Sequence, residues 1–140
     1  MMDRIAMADQ LRRALQLFAS GLTEEEALEV AAVYDPWKAG KPYAAGEFLT
    51  YGENTVSDPQ LYKTIQAHTA QAHWLPDKTP ALYAPVGLNP QGIPLWSRPA
   101  GAHDAYSIGD IVDYQGALYE SQINGNDTVP GTDERWWKAV

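Results

Sequence analysis

The sequence has 140 residues, with 18 acidic and 10 basic side chains and no cysteine. The formal net charge of −8 disfavours nucleic-acid binding, because that interface needs a basic face. Without cysteine there are no disulfides and no thiolate metal sites. The apolar runs are shorter than the ~20 residues that span a bilayer, and the N-terminus lacks a signal-peptide pattern. We therefore expect neither a nucleic-acid nor a membrane partner.

The N-terminal segment predicts a helix. Residues 1–33 contain no proline and a single glycine, Gly21, whereas all 10 prolines of the chain follow them. Gly21 is placed where a glycine in the left-handed conformation ends a helix. Upstream of it, apolar side chains recur at near-helical spacing: Ile5, Leu11, Leu15 and Phe18. This stripe predicts that the first helix is amphipathic.

A second, short helix is predicted to begin at Thr23. Thr23 and Glu26 have the spacing of a capping box, and Asp35-Pro36 closes the helical segment. A hairpin of two such short helices is marginal in isolation, so it needs a partner surface. Either the rest of the chain covers the hairpin, or the hairpin is an assembly element that packs against copies of itself or docks onto a larger particle.

Two similar β units follow. The strings 43–51 (YAAGEFLTY) and 106–114 (YSIGDIVDY) share the pattern Tyr-x2-Gly-x4-Tyr, and a second tyrosine-bearing strand follows each of them. Eleven positions separate Tyr51 from Tyr62, but only five separate Tyr114 from Tyr119. The first hairpin therefore has a longer loop, which we expect at the surface.

These patterns predict an α+β fold in which an N-terminal helical hairpin precedes two small antiparallel β modules. We place the hairpin at residues 1–34, the first module at 35–86, a Pro/Gly linker at 87–95 and the second module at 96–140. The linker can either hold the modules apart or pack them rigidly.

The ends of the two modules differ. The second continues through Gly116-x-Leu-Tyr119 and ends in Asn126-x3-Pro130 and Trp136. The first ends in the strings 66–76 (QAHTAQAHWLP) and 79–83 (TPALY). Both modules resemble carbohydrate-binding module families 5 and 12, the small chitin-binding modules of bacterial chitinases. Tyr83 departs from the family pattern, because tryptophan usually stands there.

The resemblance implies that Trp74 stacks on sugar, with His68, Thr69 and Pro76 close by. Trp74 lies in a polar, proline-bracketed stretch where no strand alternation forces it inward, so we expect it to face solvent; the alternative is that it closes the core. In the second module Trp136 resembles the closing core tryptophan. Trp137, on the opposite strand face, is therefore the expected exposed, sugar-binding residue.

The remaining aromatic residues that recur at matching sheet positions are expected in the core. They are Trp37, Tyr43, Tyr51, Tyr62, Trp96, Tyr106, Tyr114 and Tyr119.

No catalytic or metal-binding constellation is recognisable. Asp110 and Asp113 fall on opposite faces of a strand, whereas a glycosidase needs two carboxylates across a cleft. His68 and His73 lack a third ligand at regular spacing, and a turn hydrogen bond is the commoner use of such a histidine. We expect no enzymatic activity, no cofactor and no metal site.

A short acidic hairpin leading into two such modules is similar to accessory proteins encoded among the structural genes of tailed bacteriophages and prophages. This resemblance implies a non-catalytic, carbohydrate-binding protein of the virion surface, made in the host cytoplasm without a signal peptide. Its implied partners are a chitin-like or other cell-surface polysaccharide and, through the hairpin, other virion proteins. The alternative is a structural decoration or fibre protein of the capsid or baseplate whose modules bind no sugar.

A homo-oligomer is also expected, with the hairpin as its interface. The second helix offers mainly alanine and valine, which are too small to cover the apolar stripe of the first helix. A trimer is favoured only by analogy, because viral fibres of this arrangement are commonly threefold.

Overall fold

The computed structural model describes residues 4–99 and 105–140, with Arg4 and Ile5 described by their backbone alone. The elements are α1 (Arg4–Ala19), α2 (Glu24–Glu29), a 3-10 helix (Ala31–Val33), β1 (Pro42–Tyr43), β2 (Phe48–Glu53), β3 (Pro59–Thr64), β4 (His68–Thr69), β5 (Tyr83–Val86), β6 (Ile111–Tyr114), β7 (Ala117–Ser121) and β8 (Trp137–Ala139). The α+β class is as expected: N-terminal helices precede small antiparallel sheets.

The strands of the described residues form three sheets. In the part of the chain that we call the first unit (residues 35–86), β1 pairs with β4, and β2, β3 and β5 form a three-stranded sheet in that order. In the second unit (residues 96–99 and 105–140), β6, β7 and β8 form a sheet of the same order. Every pairing within these sheets is antiparallel.

The start of α2 is as predicted, but the ends of both helices differ. Thr23 and Glu26 form the capping box. Helix α2 ends at Glu29, because Val30 bonds to the carbonyl three residues earlier and the chain tightens into the 3-10 helix. Gly21 is not in the left-handed conformation, so that prediction is wrong. Helix α1 ends at Ala19 through bonds of the same short type, from Gly21 to Phe18 and from Leu22 to Ala19.

The rest of the chain covers part of the hairpin. Ala27 of α2 is buried in one core cluster with Phe48, Leu61 and Val86 of the first unit. The side chain of Leu28 lies so close to Gly87 that a Cβ atom placed there would meet Leu28 Cδ2 at 2.3 Å. Helix α2 and the 3-10 helix are therefore docked on the first sheet through apolar contact.

Helix α1 is anchored mainly at its C-terminal end. Ala19 is buried, and the Tyr34 hydroxyl donates a hydrogen bond of 2.8 Å to its carbonyl. Of the predicted stripe, Leu11 is 63% exposed, Leu15 48% and Phe18 74%. The side chain of Ile5 lies outside the described part. The described side chains of this stripe are thus left uncovered by their own chain.

Corresponding hydrogen bonds occur in both units. The Trp37 amide donates to the Thr50 carbonyl at 2.7 Å, and the Trp96 amide donates to the Asp113 carbonyl at 2.8 Å. The hydroxyl of Tyr43 accepts from the amide that follows Trp37, as that of Tyr106 does from the amide that follows Trp96. A preceding segment is thereby tied to the first long strand of each sheet.

The segment 87–95 packs between the two units. The Leu95 amide bonds to the Gly87 carbonyl at 2.8 Å, and the side chain of Asn89 donates to Asp113 at 2.9 Å. Val56, in the long loop between β2 and β3, packs against the core cluster of the second unit. That loop is therefore partly buried between the units, whereas the sequence predicted a surface loop.

Replacing Gly87 by alanine is expected to lower the free energy of unfolding by more than the same change at Gly92. Both glycines have positive φ, +84° and +80°, so alanine carries a backbone strain of about 1–3 kcal/mol at either position. Only at Gly87 does the new methyl group also meet Leu28. Thermal and urea unfolding of the two variants measure the difference. Equal losses would show that the Leu28 contact contributes nothing.

Candidate carbohydrate-binding site

Trp74 lies in the loop that joins β4 to β5. Its amide donates to the Gln71 carbonyl at 2.9 Å, which closes a turn. Ala70 and Pro76 on either side of this turn are buried and anchor the loop to the first unit. The Trp74 side chain is 38% exposed, as expected from the sequence.

The exposed indole of Trp74 has an ordered neighbour. The His73 ring lies 5.4 Å from it, centroid to centroid, at an interplanar angle of 62°. Such an edge-to-face contact restricts the orientation of both rings. An exposed, oriented indole suits stacking on the apolar face of a pyranose.

A hydrogen-bonded chain of side chains lies beneath β4. The Trp37 indole N–H donates to the Tyr83 hydroxyl at 2.9 Å, and His68 Nε2 lies 2.7 Å from that hydroxyl. His68 Nδ1 lies 2.8 Å from the Gln66 carbonyl, which can only accept. In neutral His68 the proton is therefore on Nδ1, and Tyr83 donates to Nε2.

This chain assigns a structural role to His68. The ring is half-buried, and both of its nitrogens are engaged within the protein. Burial raises the pKa of the Tyr83 phenol above its ordinary value, and the hydrogen bond from Trp37 partly offsets the rise. Tyr83 is thus kept neutral and can donate to His68. The predicted turn hydrogen bond of His68 is present, and the residue positions the strand that leads to the Trp74 loop.

The other two predicted contacts of Trp74 lie on the same segment. Thr69 is exposed, pairs with Pro42 of β1 and accepts a hydrogen bond from Gln71 through its carbonyl. Pro76 is buried, which makes it an anchor of the loop. Sugar contact by Thr69, Pro76 or His68 stays a prediction.

The predicted exposure of Trp137 is wrong, because the residue is buried. Its side chain is 1% exposed, its indole N–H donates to the Thr128 carbonyl at 3.0 Å, and its ring packs edge-to-face on Tyr106. Trp136 is the half-buried neighbour, with the Arg135 guanidinium 5.6 Å from its ring. Trp137 therefore closes the core, and its buried ring offers no face to a sugar, while Trp136 packs partly buried against the same core cluster.

The strand register explains why Trp137 is buried. Thr64 of β3 pairs with Tyr83 of β5, and Ser121 of β7 pairs with Trp137 of β8. Trp137 therefore corresponds to Tyr83, the position at which the family usually has tryptophan. Aligning the two units on Tyr83 and Trp137, rather than on Trp136, would have identified Trp137 as the core residue.

The same correspondence accounts for an unpaired group. Trp96 corresponds to Trp37, but its indole N–H is buried and has no hydrogen-bond partner among the described residues. The partner in the first unit is the hydroxyl of Tyr83, and Trp137 carries no hydroxyl at that position.

The remaining aromatic residues divide into two groups. Tyr43, Tyr62 and Tyr106 are buried, as expected. Five others are only half-buried: Trp37, Tyr51, Trp96, Tyr114 and Tyr119. Four of these form two similar edge-to-face pairs, Trp37 with Tyr51 at 5.9 Å and Trp96 with Tyr114 at 5.6 Å.

Within residues 4–99 and 105–140 there is no group of three His, Cys, Asp or Glu side chains that could hold a metal ion. In the same part of the chain, no helix has the length and apolar character required to cross a bilayer.

Residues 36–84 match the model of carbohydrate-binding module family 5/12. The match contains the Trp74 loop and the hydrogen-bonded chain from Trp37 to His68, and it supports carbohydrate binding by the first unit. Streptogrisin-C of Streptomyces griseus is 46% identical to the chain over 50 residues, which are 36% of this chain and 10% of streptogrisin-C. The chain thus spans about a tenth of the length of this relative.

Replacing Tyr83 by phenylalanine is expected to lower the free energy of unfolding by about 1–3 kcal/mol, because Trp37 and His68 both lose their hydrogen-bond partner. Chemical denaturation measures the change. Tyr62→Phe is the control, since it also removes a phenolic hydroxyl from this sheet but interrupts no hydrogen bond of the chain from Trp37 to His68. A Tyr83→Phe variant as stable as Tyr62→Phe would contradict a structural role for the chain.

Proposed function

We propose that the protein is a non-catalytic accessory protein of a bacteriophage virion that binds chitin-like or other cell-surface glycans through its first unit. The exposed Trp74, held on an anchored loop inside the region that matches the family, carries this proposal. The virion surface is the proposed location. The proposal of a phage context depends on the order of hairpin and modules in the sequence.

The loop of the second unit that corresponds to the Trp74 loop is shorter. His68 faces Tyr43 across β1 and β4, and Asn126 faces Tyr106 in the same way. Fifteen positions separate His68 from Tyr83, but eleven separate Asn126 from Trp137. The loop of the second unit is therefore four residues shorter, and sugar stacking is assigned to the first unit.

Replacing Trp74 by alanine is expected to weaken binding to insoluble chitin or host cell wall by about 1–3 kcal/mol, because truncating a central aromatic residue removes its stacking contact. The fold is expected to remain intact, since the indole is partly in solvent. A pull-down isotherm measures the affinity, and thermal unfolding checks the fold.

Ile108→Ala serves as the matched control for this prediction. Ile108 is a large apolar side chain of the second unit that is exposed like Trp74, so it reports unspecific adsorption. Equal weakening by the two variants would show that adsorption is unspecific. If the unaltered protein binds neither chitin, nor host cell wall, nor any glycan of an array, the protein is instead a structural decoration.

Helix α1 supports an assembly role. At about 100° per residue, Met7, Leu11 and Phe18 share one face. All three side chains are exposed, whereas Ala19, about 100° from Phe18 around the helix axis, is buried in the core cluster with the first unit. We propose that the exposed face joins copies of the chain into a homo-oligomer, with a trimer favoured by analogy, or docks onto other virion proteins. In the second case a purely structural, decorating role is the alternative function.

The double variant Leu11→Glu/Phe18→Glu is expected to convert the oligomer into a monomer, because burying two carboxylates in an apolar interface is costly. Light scattering on the full-length chain at micromolar concentration measures the mass. Ile65→Glu, at an exposed apolar residue outside the helices, is the control and should leave the mass unchanged. A monomeric unaltered protein would refute self-association.

A further inference from the structure

A cleft of about 630 Å³ lies between helix α1 and the outer edge of β2, beside the segment 35–37 that is hydrogen-bonded to Thr50. Arg12 and Leu15 line it from the helix, Asp35 from the following segment, and Tyr51 and Glu53 from the strand. Its volume lies within the ~300–1,000 Å³ typical of small-molecule sites. It is separate from the loop that carries Trp74.

The anchoring of the helix forms this cleft in advance of any ligand. The carbonyl of Ala19 accepts from Tyr34, and the Gln16 side chain donates to Asp35 at 2.9 Å. Arg12 and Leu15 lie about one turn nearer the N-terminus, where they line the cleft. The two walls are therefore held by contacts at one end of the cleft.

The strand wall is unsuited to an added peptide strand. The pairing of β2 with β3 shifts register between Thr50 and Glu53, and Gly52 has a φ of +67°. Such a bulge interrupts the regular edge to which a peptide strand could pair. Tyr51 lies within the bulge, half-buried and edge-on to Trp37, and contributes an aromatic ring to the cleft.

The polar groups of the cleft match the hydroxyl groups of a sugar. Arg12 has five N–H donors, and the carboxylates of Asp35 and Glu53 accept. Neither Arg12 nor Glu53 belongs to an ion pair within the described part of the chain. The formal charge of these three side chains is −1 and that of the whole chain −8, which disfavours acidic sugars and phosphates.

We propose that this cleft is a second saccharide-binding site, which takes one or two neutral sugar residues. Tyr51 provides the stacking surface, and Arg12, Asp35 and Glu53 provide the hydrogen bonds. The inference shares with the proposed function only the class of ligand, because the two sites have no residue in common.

The test is an amide NMR titration of the full-length protein with triacetylchitotriose and, separately, with lactose. One of these neutral probes is expected to shift the amides of residues 51–53. Arg12→Ala is expected to weaken that response about tenfold or more, as when a hydrogen bond to a charged group is lost. It should leave any response around Trp74 unchanged. Arg13→Ala, on the same helix but outside the cleft, is the matched control.

The two sites can fail separately. Trp74→Ala is expected to remove the response around residue 74 and to spare that of residues 51–53. Suppose that the unaltered protein shows no response around Trp74 and binds neither insoluble chitin nor host cell wall, while amides 51–53 still respond to a neutral probe. This result would refute the proposed function but support the cleft. Amides 51–53 that respond to neither neutral probe, or that respond only to sialyllactose, would overturn the proposal of a neutral saccharide site.

Discussion

The buried aromatic residue on the third strand of each sheet is the contact on which each small unit depends. A unit of about 45 residues without cysteine has little apolar surface to bury, so one large side chain accounts for much of its core. Tyr83 in the first unit and Trp137 in the second occupy this position, each opposite a small hydroxyl residue of the middle strand. The two rings fill equivalent positions in the two cores but make different hydrogen bonds.

In the first unit, different residues therefore support the structure and present a face to a ligand. Tyr83 joins Trp37 to His68, and the chain of hydrogen bonds holds the strand from which the Trp74 loop departs. The loop can therefore expose its own tryptophan without losing its position. In the second unit the indole N–H of Trp96 has no hydrogen-bond partner among the described residues, and the loop is shorter.

The sequence predicted the elements that depend on local chemistry. The capping box of Thr23 follows from two residues at fixed spacing, and the exposure of Trp74 follows from a polar stretch without strand alternation. Trp137 was misassigned because the sequence does not show at which of the two adjacent tryptophans the strand begins, and the pairing with Ser121 places Trp137 in the core. The cleft beside Tyr51 could not be predicted, since it depends on how the helix is anchored in three dimensions.

The contact between Leu28 and Gly87 means that the change in composition near Tyr34 is not a boundary of folding. A chain cut there would lose the helix that covers Phe48, Leu61 and Val86, and would expose an apolar patch in its place. Val56 couples the first unit to the core of the second in the same way. A substitution in the hairpin or in either unit is therefore expected to affect the stability of the others. A Trp74 loop grafted with its sheet alone onto another protein would lack the helix that covers its core.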